Sequence, residues 1–590
     1  MNKLYKLLLL AVTLTVTSCE IPFLEEDMNM DLTNNQVYNK ASDYELAVIG
    51  IYDDLGAQGK NNYECNYNGG LTVLNEISTD EMCFGVSKTN DLWMKELDQG
   101  TPTTDNFIVN HVYNHQYHTI NRANDLISHA ESTNIDSDII RRCVGEAKFL
   151  RALSYYNLVT LYGGVICTTI PGGDRTNIVL PRSSTETVYK LIFKDLIEAY
   201  NILPVSFEKE KGRATKIAAA ALMARASLTA ATMGKYAKIS QEMELSDGIN
   251  SYKWAQNDFT NLVKQAQTYA QKVIDDGYNG NLEILKDMTY NESFYPYENT
   301  PEIIFDVQFK EGLAHSEGGW VGTVFGPFSW NWMCPTANVA NTYMPYGHTD
   351  IDDNFPASAD KTNCDMRKRK NITSWNFYGA NSTTLWPPQP AGENESPKYF
   401  GKFQNINIGK FAHLIGKQND LGYGKQATPI NFVVLRLAEA YLIWAEAEAE
   451  LHNGPTANAF KYLNIVRRRA ADVNILPDIT ADNMADPTIV KPIIGITPTN
   501  NLEKFRMALI QERMLEFLCE GLRRVDLIRS GWIAEYLENT NISDYDKMIE
   551  NGLGNYMHVR RLFQDYRIFY PIPERDVTNT NHIIKQNYGY

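Results

Sequence analysis

The chain has 590 residues, more than one compact hydrophobic core accommodates, so subdomains or a solenoid are expected. Hydrophobic residues make up 44% and charged residues 21% of the sequence, as is ordinary for soluble globular proteins. The formal net charge of −16 argues against nucleic acid as a partner, because phosphate binding needs clustered lysine and arginine. The 34 tyrosines and 9 tryptophans provide flat rings, which fill cores when buried and form stacking platforms when exposed.

The N-terminus has the pattern of a secretory signal. Two lysines precede an apolar run over residues 7–16 that is too short to span a bilayer. The small residues before Cys19 resemble a bacterial lipobox, which implies cleavage before Cys19 and lipidation of its sulfur. The alternative is an ordinary signal peptide with an incidental cysteine. We predict a signal peptide at 1–18 and a lipidated tether at 19–34, anchored stably by several acyl chains.

Seven cysteines remain when Cys19 is acylated. An odd number without CxxC spacing is neither a disulfide framework nor a zinc ribbon. Most of them are predicted to be free and buried: Cys65, Cys83, Cys143, Cys167, Cys334, Cys364 and Cys519.

Apolar residues at three- and four-residue steps predict helices through much of the chain. Residues 431–471 predict two helices separated by Asn453-Gly454-Pro455-Thr456, where glycine permits the turn and proline fits a first helical turn. The first helix of this hairpin has one apolar stripe, and its glutamates at 439, 446 and 450 are predicted to stay in water. A hairpin of this tetratricopeptide type cannot bury its apolar face alone, so it implies stacked neighbours. Further helices are predicted at Asn35–Leu55, Phe107–Glu131, Ile140–Leu161, Ser183–Leu203, Ile217–Ala231, Tyr252–Asp276 and Leu502–Arg529.

Two stretches lack helical periodicity. Residues 56–106 form a long segment rich in Asn, Gly and aromatic residues, and a loop of this length inside a compact domain is usually functional. Residues 277–428 are rich in Gly, Pro, Asn and Trp, with one predicted short strand at Ile303–Val307. We interpret this second stretch as an irregular subdomain mounted on the helices.

Several motifs together resemble one family. The stretches are NEISTDE, EAKFLRALSYYNLVTLYGG, GRATKIAAAALMARASL, RLAEAYLIWAEAEAEL, ERMLEFLCEGLRRVDLIR and FYPIPERD. In combination they resemble the SusD/RagB family, nutrient-binding surface lipoproteins of Bacteroidetes, over residues 19–590. The resemblance implies a mainly α fold, in which about four tetratricopeptide-like helical hairpins form a right-handed superhelical scaffold with a loop-rich subdomain carrying short strands.

The resemblance also implies a domain plan and a function. The plan is an N-terminal helical region at 35–276 with a ligand loop at 56–106, the irregular subdomain at 277–428, and a C-terminal helical region at 429–590. The function is binding of an oligosaccharide or polysaccharide and its delivery to a SusC-like TonB-dependent transporter. The protein would be lipid-anchored in the outer membrane, facing the exterior, and would need no cofactor. The alternatives are peptide binding, as in RagB-like relatives, and an assembly lid without a small ligand of its own.

Aromatic residues in the two irregular stretches are the candidate ligand residues. A pyranose ring has an apolar face that an aromatic ring covers and a polar rim that amide groups can bond. Trp330 and Trp332 alternate around Asn331, so an extended backbone places both rings on one side. The candidates for stacking are Trp93, Trp320, Trp330 and Trp332, and the polar candidates are Asn90 and Asn331. The alternative is that these tryptophans are core residues of an irregular subdomain.

Catalytic and metal chemistry have weaker candidates. Glu512 and Glu516 lie one helical turn apart, a spacing that a glycosidase could use, but the arginines around them favour structural ion pairs. The sequence shows no GxSxG, HExxH or nucleotide-binding loop, and we predict that the protein is not an enzyme. His111, His115 and His118 could share a zinc ion by spacing, but a solvated histidine face is favoured because no acid supports them nearby.

Overall fold

The structure is a computed structural model. It describes residues 38–56, 66–77, 79–84, 92–172, 179–207, 210–239, 248–282, 284–287, 300–309, 333–336, 339, 342–343, 365, 367, 371–374, 398–400, 431–470, 476–538 and 563–590. The predicted signal peptide, the tether and Cys19 lie outside these ranges, as do most residues of the predicted irregular subdomain.

Helices dominate the described residues. The N-terminal helices are α1 (Ala41–Gly56), α2 (Gly70–Glu76), α3 (Leu92–Gln99), α4 (Phe107–Ser132), α5 (Asp138–Tyr162), α6 (Thr185–Ile202), α7 (Lys216–Tyr236), α8 (Lys253–Asn257) and α9 (Phe259–Tyr278). The C-terminal helices are α10 (Leu437–Leu451), α11 (Ala457–Arg469), α12 (Asn501–Phe517), α13 (Arg523–Ser530), α14 (Ile533–Glu538) and α15 (Glu574–Asn579). The short strands are β1 (Met82–Phe84), β2 (Ile303–Val307), β3 (Met333–Pro335), β4 (Ile372–Ser374), β5 (Lys398–Phe400) and β6 (Phe432–Arg436).

The long helices form a continuous stack. Helix α5 packs on α4 and α6, α7 packs on α6 and α9, and α10 packs on α9 and α11. Helices α9 and α10 are therefore neighbours in space although residues 279–436 separate them in sequence. The stack confirms the predicted helical-hairpin fold, and the middle of the chain is an insertion between two adjacent helices.

Several of these helices begin at a polar capping residue. At each start an Asn, Ser or Thr side chain accepts a hydrogen bond from the backbone N–H three residues on, which satisfies a donor that has no partner within the helix. The capping residues are Asn106 for α4, Ser184 for α6, Thr215 for α7, Thr456 for α11 and Asn500 for α12.

Helix α7 lies at the centre of the stack. It is the one described helix that is long and apolar enough to cross a bilayer, but it is almost wholly buried inside the protein. At Gly234 the neighbouring helix α8 approaches closely, since a Cβ there would lie 2.5 Å from the backbone nitrogen of Gln256. We interpret α7 as a core helix of the stack.

The described strands form three two-stranded antiparallel sheets, β1–β3, β2–β6 and β4–β5. The predicted strand Ile303–Val307 is confirmed, and it pairs with Phe432–Arg436. The stretch 431–471 was predicted to hold two helices, but its first residues, including Val434, form a buried strand. The β-branched residues of that strand are buried on both faces, so periodicity could not separate it from the helix that follows.

Two predicted helices are broken. The stretch at 252–276 divides at Asp258, and the stretch at 502–529 divides between α12 and α13, where Cys519 and Gly521 have φ of 67° and 75°. Arg436 donates to the carbonyl oxygen of Glu516 at 2.8 Å and so satisfies the C-terminal end of α12. The break is therefore stabilised by a residue of a distant strand.

Ion pairs connect the helices of the stack. Both Nε and Nη2 of Arg151 donate to the carboxylate of Asp195 at 2.8 Å, joining α5 to α6. Arg213 donates to Glu146 at 3.0 Å. Glu146 and Arg151 thus hold α5 to neighbouring segments of the stack.

The C-terminal tail docks on the stack. Asn587 donates to the carbonyl oxygens of Tyr162 and Tyr570 at 3.0 and 2.7 Å and accepts from Arg182 at 2.6 Å.

Candidate functional site

The indole of Trp93 is exposed on α3. The residue is 41% exposed, whereas its helix neighbours Met94 and Leu97 are 1% exposed and face the core. Its ring stacks on Phe107 with a centroid distance of 4.8 Å, and Phe107 in turn contacts the ring of His111 at 3.7 Å. The structure therefore places this predicted stacking residue at the surface, supported from behind by another aromatic ring.

Hydrogen bonds fix α3 in place. Asn106, the residue that caps α4, donates to the carbonyl oxygen of Trp93 at 3.0 Å and to Glu96 at 2.9 Å. The same Glu96 carboxylate accepts from the backbone and hydroxyl of Thr103. Asp98 accepts from the backbone N–H of Phe84 in β1 at 3.0 Å. Trp93 thus stands on a helix held at both ends, which suits a preformed binding surface.

Strand β1 joins this helix to the middle of the chain. Its partner β3 begins at Met333, with Phe84 opposite Met333, Cys83 opposite Cys334 and Met82 opposite Pro335. The backbone N–H of Thr336 donates to the carbonyl oxygen of Glu81 at 2.9 Å and extends the pairing. The sheet brings together interior segments of the two stretches, 56–106 and 277–428, that supplied the candidate ligand residues.

The other candidate ligand residues lie outside the described residues. They are Asn90, Trp320, Trp330, Asn331 and Trp332. Trp332 precedes Met333 in the chain, so its position in sequence adjoins the β1–β3 sheet. Trp93 is the candidate that the structure locates.

The acidic residues of the early segment are buried and structural. Asp80 accepts from Nε and Nη2 of Arg523 at 2.8 Å each. Glu76 accepts from the backbone N–H groups of Gly521 and Leu522 at 2.7 and 3.2 Å, at the break between α12 and α13. Burial raises the pKa of Glu76 to about 7. Burial, followed by the charge of Glu76, raises the pKa of Glu81 well above its usual range.

Glu512 and Glu516 form buried ion pairs with arginines, as predicted. Nη1 of Arg367 donates to Glu512 at 2.6 Å and to Glu516 at 3.1 Å. Arg436 donates to the second oxygen of Glu516 at 2.6 Å. Burial alone would raise the pKa of Glu516, but Arg469, Arg436 and Arg367 lower it below its usual range. A carboxylate held ionised by three guanidiniums is not poised for proton transfer.

The prediction that Glu439, Glu446 and Glu450 stay in water is wrong. They are 3%, 3% and 5% exposed. Glu439 accepts from Arg225 at 2.9 Å and Glu446 accepts from Arg529 at 3.0 Å. The reason is that α10 has neighbours on several sides, since α9, α11 and α12 all pack on it. Ion pairs therefore replace water around its polar face.

The histidine row on α4 is partly buried. His118 is exposed, whereas His111 and His115 are half-buried, and Nδ1 of His111 bonds the carbonyl oxygen of Phe107 at 2.9 Å. Burial, then His118, His111 and Arg122, lower the pKa of His115 to about 4. Among the described residues, no group of three or more His, Cys, Asp or Glu side chains is arranged to hold a metal ion.

Two family models match the chain. One, described as the SusD family, matches residues 301–590, and the other, described as "Starch-binding associating with outer membrane", matches residues 24–228. The chain belongs to the SusD/RagB family. A SusD-like protein of Formosa agariphila is 24% identical over 568 residues, which cover 90% of this chain and 92% of that protein. The starch-binding protein SusD of Bacteroides thetaiotaomicron is 23% identical over 92% of this chain and 89% of that protein.

Solved structures of SusD/RagB proteins share the fold. A SusD homolog from Bacteroides thetaiotaomicron superimposes with a TM-score of 0.67 and 18% identity, covering 96% of this chain and all of that one. Surface glycan-binding protein A of the same organism, in complex with laminarihexaose, gives a TM-score of 0.60 and 18% identity, covering 92% and 99%. At these identities the likeness establishes the fold.

The motifs that mark this SusD/RagB chain are contacts of its core. Asp80 and Glu76, from NEISTDE, bond Arg523 and the backbone beside it, from EGLRRVDLIR. Sequence reasoning found both motifs but missed that they pair. The signal available was an acidic cluster in one and an arginine cluster in the other.

Proposed function

We propose that this SusD/RagB protein binds a glycan at the cell surface and delivers it to a SusC-like TonB-dependent outer-membrane transporter. The observation that carries the proposal is the exposed Trp93 ring, backed by Phe107 on a helix that hydrogen bonds hold at both ends. The names of relatives support it: one is a starch-binding protein, and another is a surface glycan-binding protein in complex with laminarihexaose.

Sugar chemistry explains the choice of residue. The apolar face of a pyranose ring loses little by leaving water and gains contact with a flat indole, while its hydroxyls stay at the rim for amide partners. Asn90 and Asn331 are the proposed amides, and Trp320, Trp330 and Trp332 the proposed further platforms. The β1–β3 sheet supports their grouping with Trp93, because it pairs the segment before α3 with the segment after Trp332.

Anchoring at the membrane follows from the proposed lipid on Cys19. The chain between Cys19 and Tyr38 could extend to about 65 Å at roughly 3.4 Å per residue. Such a tether would let the folded part sit over a transporter in the outer membrane, facing the exterior. The description of the family model that matches residues 24–228 supports this location.

Binding rather than catalysis is the proposed role. The carboxylate pair that could have served as acid and base, Glu512 and Glu516, is buried and paired with arginines. We propose no cofactor and no metal ion for the binding event, because ring stacking and amide hydrogen bonds are sufficient for sugar recognition.

Affinity electrophoresis through a panel of polysaccharides tests the proposal. The soluble chain beginning after Cys19 should be retarded by at least one glycan, and Trp93→Ala should lose most of that retardation. Tyr588→Ala is the matched control, because its ring is similarly exposed, at 42%, in the C-terminal tail. If no glycan retards the folded protein, the glycan proposal fails, and a panel of peptides becomes the next ligand class to test.

A further inference from the structure

A cavity lies at the C-terminal end of α3, where residues of that helix meet α13, α14 and the C-terminal tail. Its empty volume is about 460 Å³, including the part that opens to solvent. Most of the wall is apolar, and the lining side chains of this kind include Leu97, Pro102, Ile533, Leu537 and Phe563. Two guanidinium groups, those of Arg524 and Arg567, also line the cavity.

The guanidinium of Arg524 is buried and held in one orientation. The residue is 2% exposed. Its Nη2 donates to the carbonyl oxygens of Arg567 and Ile568 at 2.7 and 3.0 Å, and its Cζ lies 4.5 Å from the centroid of the Tyr570 ring. The other terminal nitrogen, Nη1, has no hydrogen-bond partner within the part of the chain that the structure describes. One nitrogen of a fixed, buried cation is therefore left to bond a ligand.

Arg524 also lacks the carboxylate that the arginines around it have. Three arginines of α12 and α13 pair with buried acids: Arg513 with Asp526, Arg523 with Asp80 and Arg529 with Glu446. Among the described residues, none of the aspartates and glutamates forms an ion pair with Arg524. Buried charges are normally paired, because an unpaired one loses its hydration without compensation. An anion bound in the cavity would provide the missing partner.

The composition of the wall narrows the kind of anion. A carboxylate has two oxygens and one negative charge, which suits a single guanidinium edge. A phosphate would have further charged oxygens against side chains such as Leu97 and Leu537, which cannot donate hydrogen bonds to them. The same apolar side chains favour a ligand with a hydrocarbon body, because its burial removes apolar surface from water.

We propose that this cavity binds a small organic monocarboxylate, with the carboxylate bonded to Nη1 of Arg524 and the hydrocarbon body against the apolar wall. Arg567 adds a second positive charge to the same cavity, where its side chain packs on Gly100. The local charge is thus positive in a chain whose formal net charge is −16.

The bound acid would contact the helix that carries Trp93. Leu97 and Gln99, in the second half of α3, belong to the wall, and Trp93 precedes Leu97 by about one helical turn. Occupation of the cavity would therefore stabilise α3 and the ring that it presents. This consequence rests on the proposed function, but the carboxylate site itself does not.

Thermal unfolding of the chain beginning after Cys19 tests the site. The probes are acetate, butyrate and benzoate, each compared with its neutral amide and with chloride at equal ionic strength. A ligand that binds only the folded protein stabilises it, so at least one carboxylate should raise the Tm by a few degrees with a saturable dose dependence. The amides and chloride should leave the Tm unchanged. No rise with any carboxylate, or an equal rise with the amide or with chloride, would overturn the proposal.

Variants locate the effect in the cavity. Arg524→Gln removes the positive charge and should abolish the rise in Tm. Arg141→Gln is the matched control and should keep the rise, because the Arg141 side chain is 57% exposed and lies outside the cavity. If Arg524→Gln does not fold, Ile533→Trp takes its place, since it fills the cavity and leaves the guanidinium unchanged.

The outcomes separate this site from glycan binding. An unchanged rise in folded Arg524→Gln or Ile533→Trp would contradict the carboxylate site. A carboxylate response that these variants lose, in a protein that no glycan retards, would keep the site and reject the proposed function.

Discussion

Replacing Glu76 and Glu81 together with glutamine should remove a pH dependence from the stability of the fold. Both side chains are buried between α2, β1 and the break after α12. Burial raises the pKa of Glu76 from its usual 4.5 to about 7. The folded protein therefore holds this proton more tightly than the unfolded chain does, so the free energy of unfolding falls as pH rises from about 4.5 to 7.

The magnitude follows from the pKa shift. At 1.36 kcal/mol per pKa unit, raising Glu76 from 4.5 to about 7 corresponds to about 3 kcal/mol lost across that pH interval. A glutamine at position 76 can still accept from the N–H groups of Gly521 and Leu522, so the backbone anchor remains. The raised pKa of Glu81 acts in the same direction, so the double variant should gain at least about 3 kcal/mol relative to the wild type between pH 4.5 and pH 7.5.

Urea unfolding at a series of pH values measures this difference. Glu186→Gln, which removes a surface carboxylate paired with Lys190, is the control and should follow the wild type within about 0.5 kcal/mol at each pH. A constant stability difference between the double variant and the wild type across the series would refute the assignment of this proton to the buried pair.

Two further predictions concern the core. Glu516→Gln removes the negative charge that pairs with the buried guanidinium groups of Arg367 and Arg436. It should lower the free energy of unfolding, measured in urea, by about 3–5 kcal/mol. Gly234→Ala has two opposed effects. The higher helix propensity of alanine should stabilise the fold by about 1 kcal/mol. The new Cβ would lie 2.5 Å from the backbone nitrogen of Gln256, a clash that destabilises it. The clash should win by about 1–3 kcal/mol and lower the Tm, and a raised Tm would contradict the close packing of α7 on α8.

Local signals were sufficient to predict the helical stack. Caps such as Thr215 and Thr456, and apolar residues at helical steps, depend on neighbours three or four positions away, which a sequence shows directly. The short strand Ile303–Val307 was predicted for the same reason, from its β-branched residues between turn signals.

Long-range partners account for the errors. Glu439 and Glu446 were predicted to be solvent-exposed, because a helix with a single apolar stripe usually exposes its opposite face to water. Their partners, Arg225 and Arg529, are on distant helices, and nothing near the glutamates in sequence indicates them. The break after α12 likewise depends on Arg436, which lies in another element.

The sequence predicted which residue types would form the candidate site, but not where their side chains lie. An exposed and a buried tryptophan look alike in a Gly- and Asn-rich stretch, so the sequence left both roles open for Trp93. Its exposure depends on α3, which turns Met94 and Leu97 inward, and on Phe107 behind the ring. The glycan roles of the remaining tryptophan and asparagine candidates stay predictions.

Calorimetric titration of Trp93→Ala with an oligosaccharide of the retarding glycan tests the central claim most directly. About 40% of a side chain of roughly 250 Å² is exposed. Covering half of that exposed area with a sugar face corresponds to about 1.3 kcal/mol at 25 cal/mol per Å². We expect the Kd to rise about tenfold in Trp93→Ala and to stay unchanged in Tyr588→Ala. An unchanged Kd in Trp93→Ala would show that the glycan is bound elsewhere.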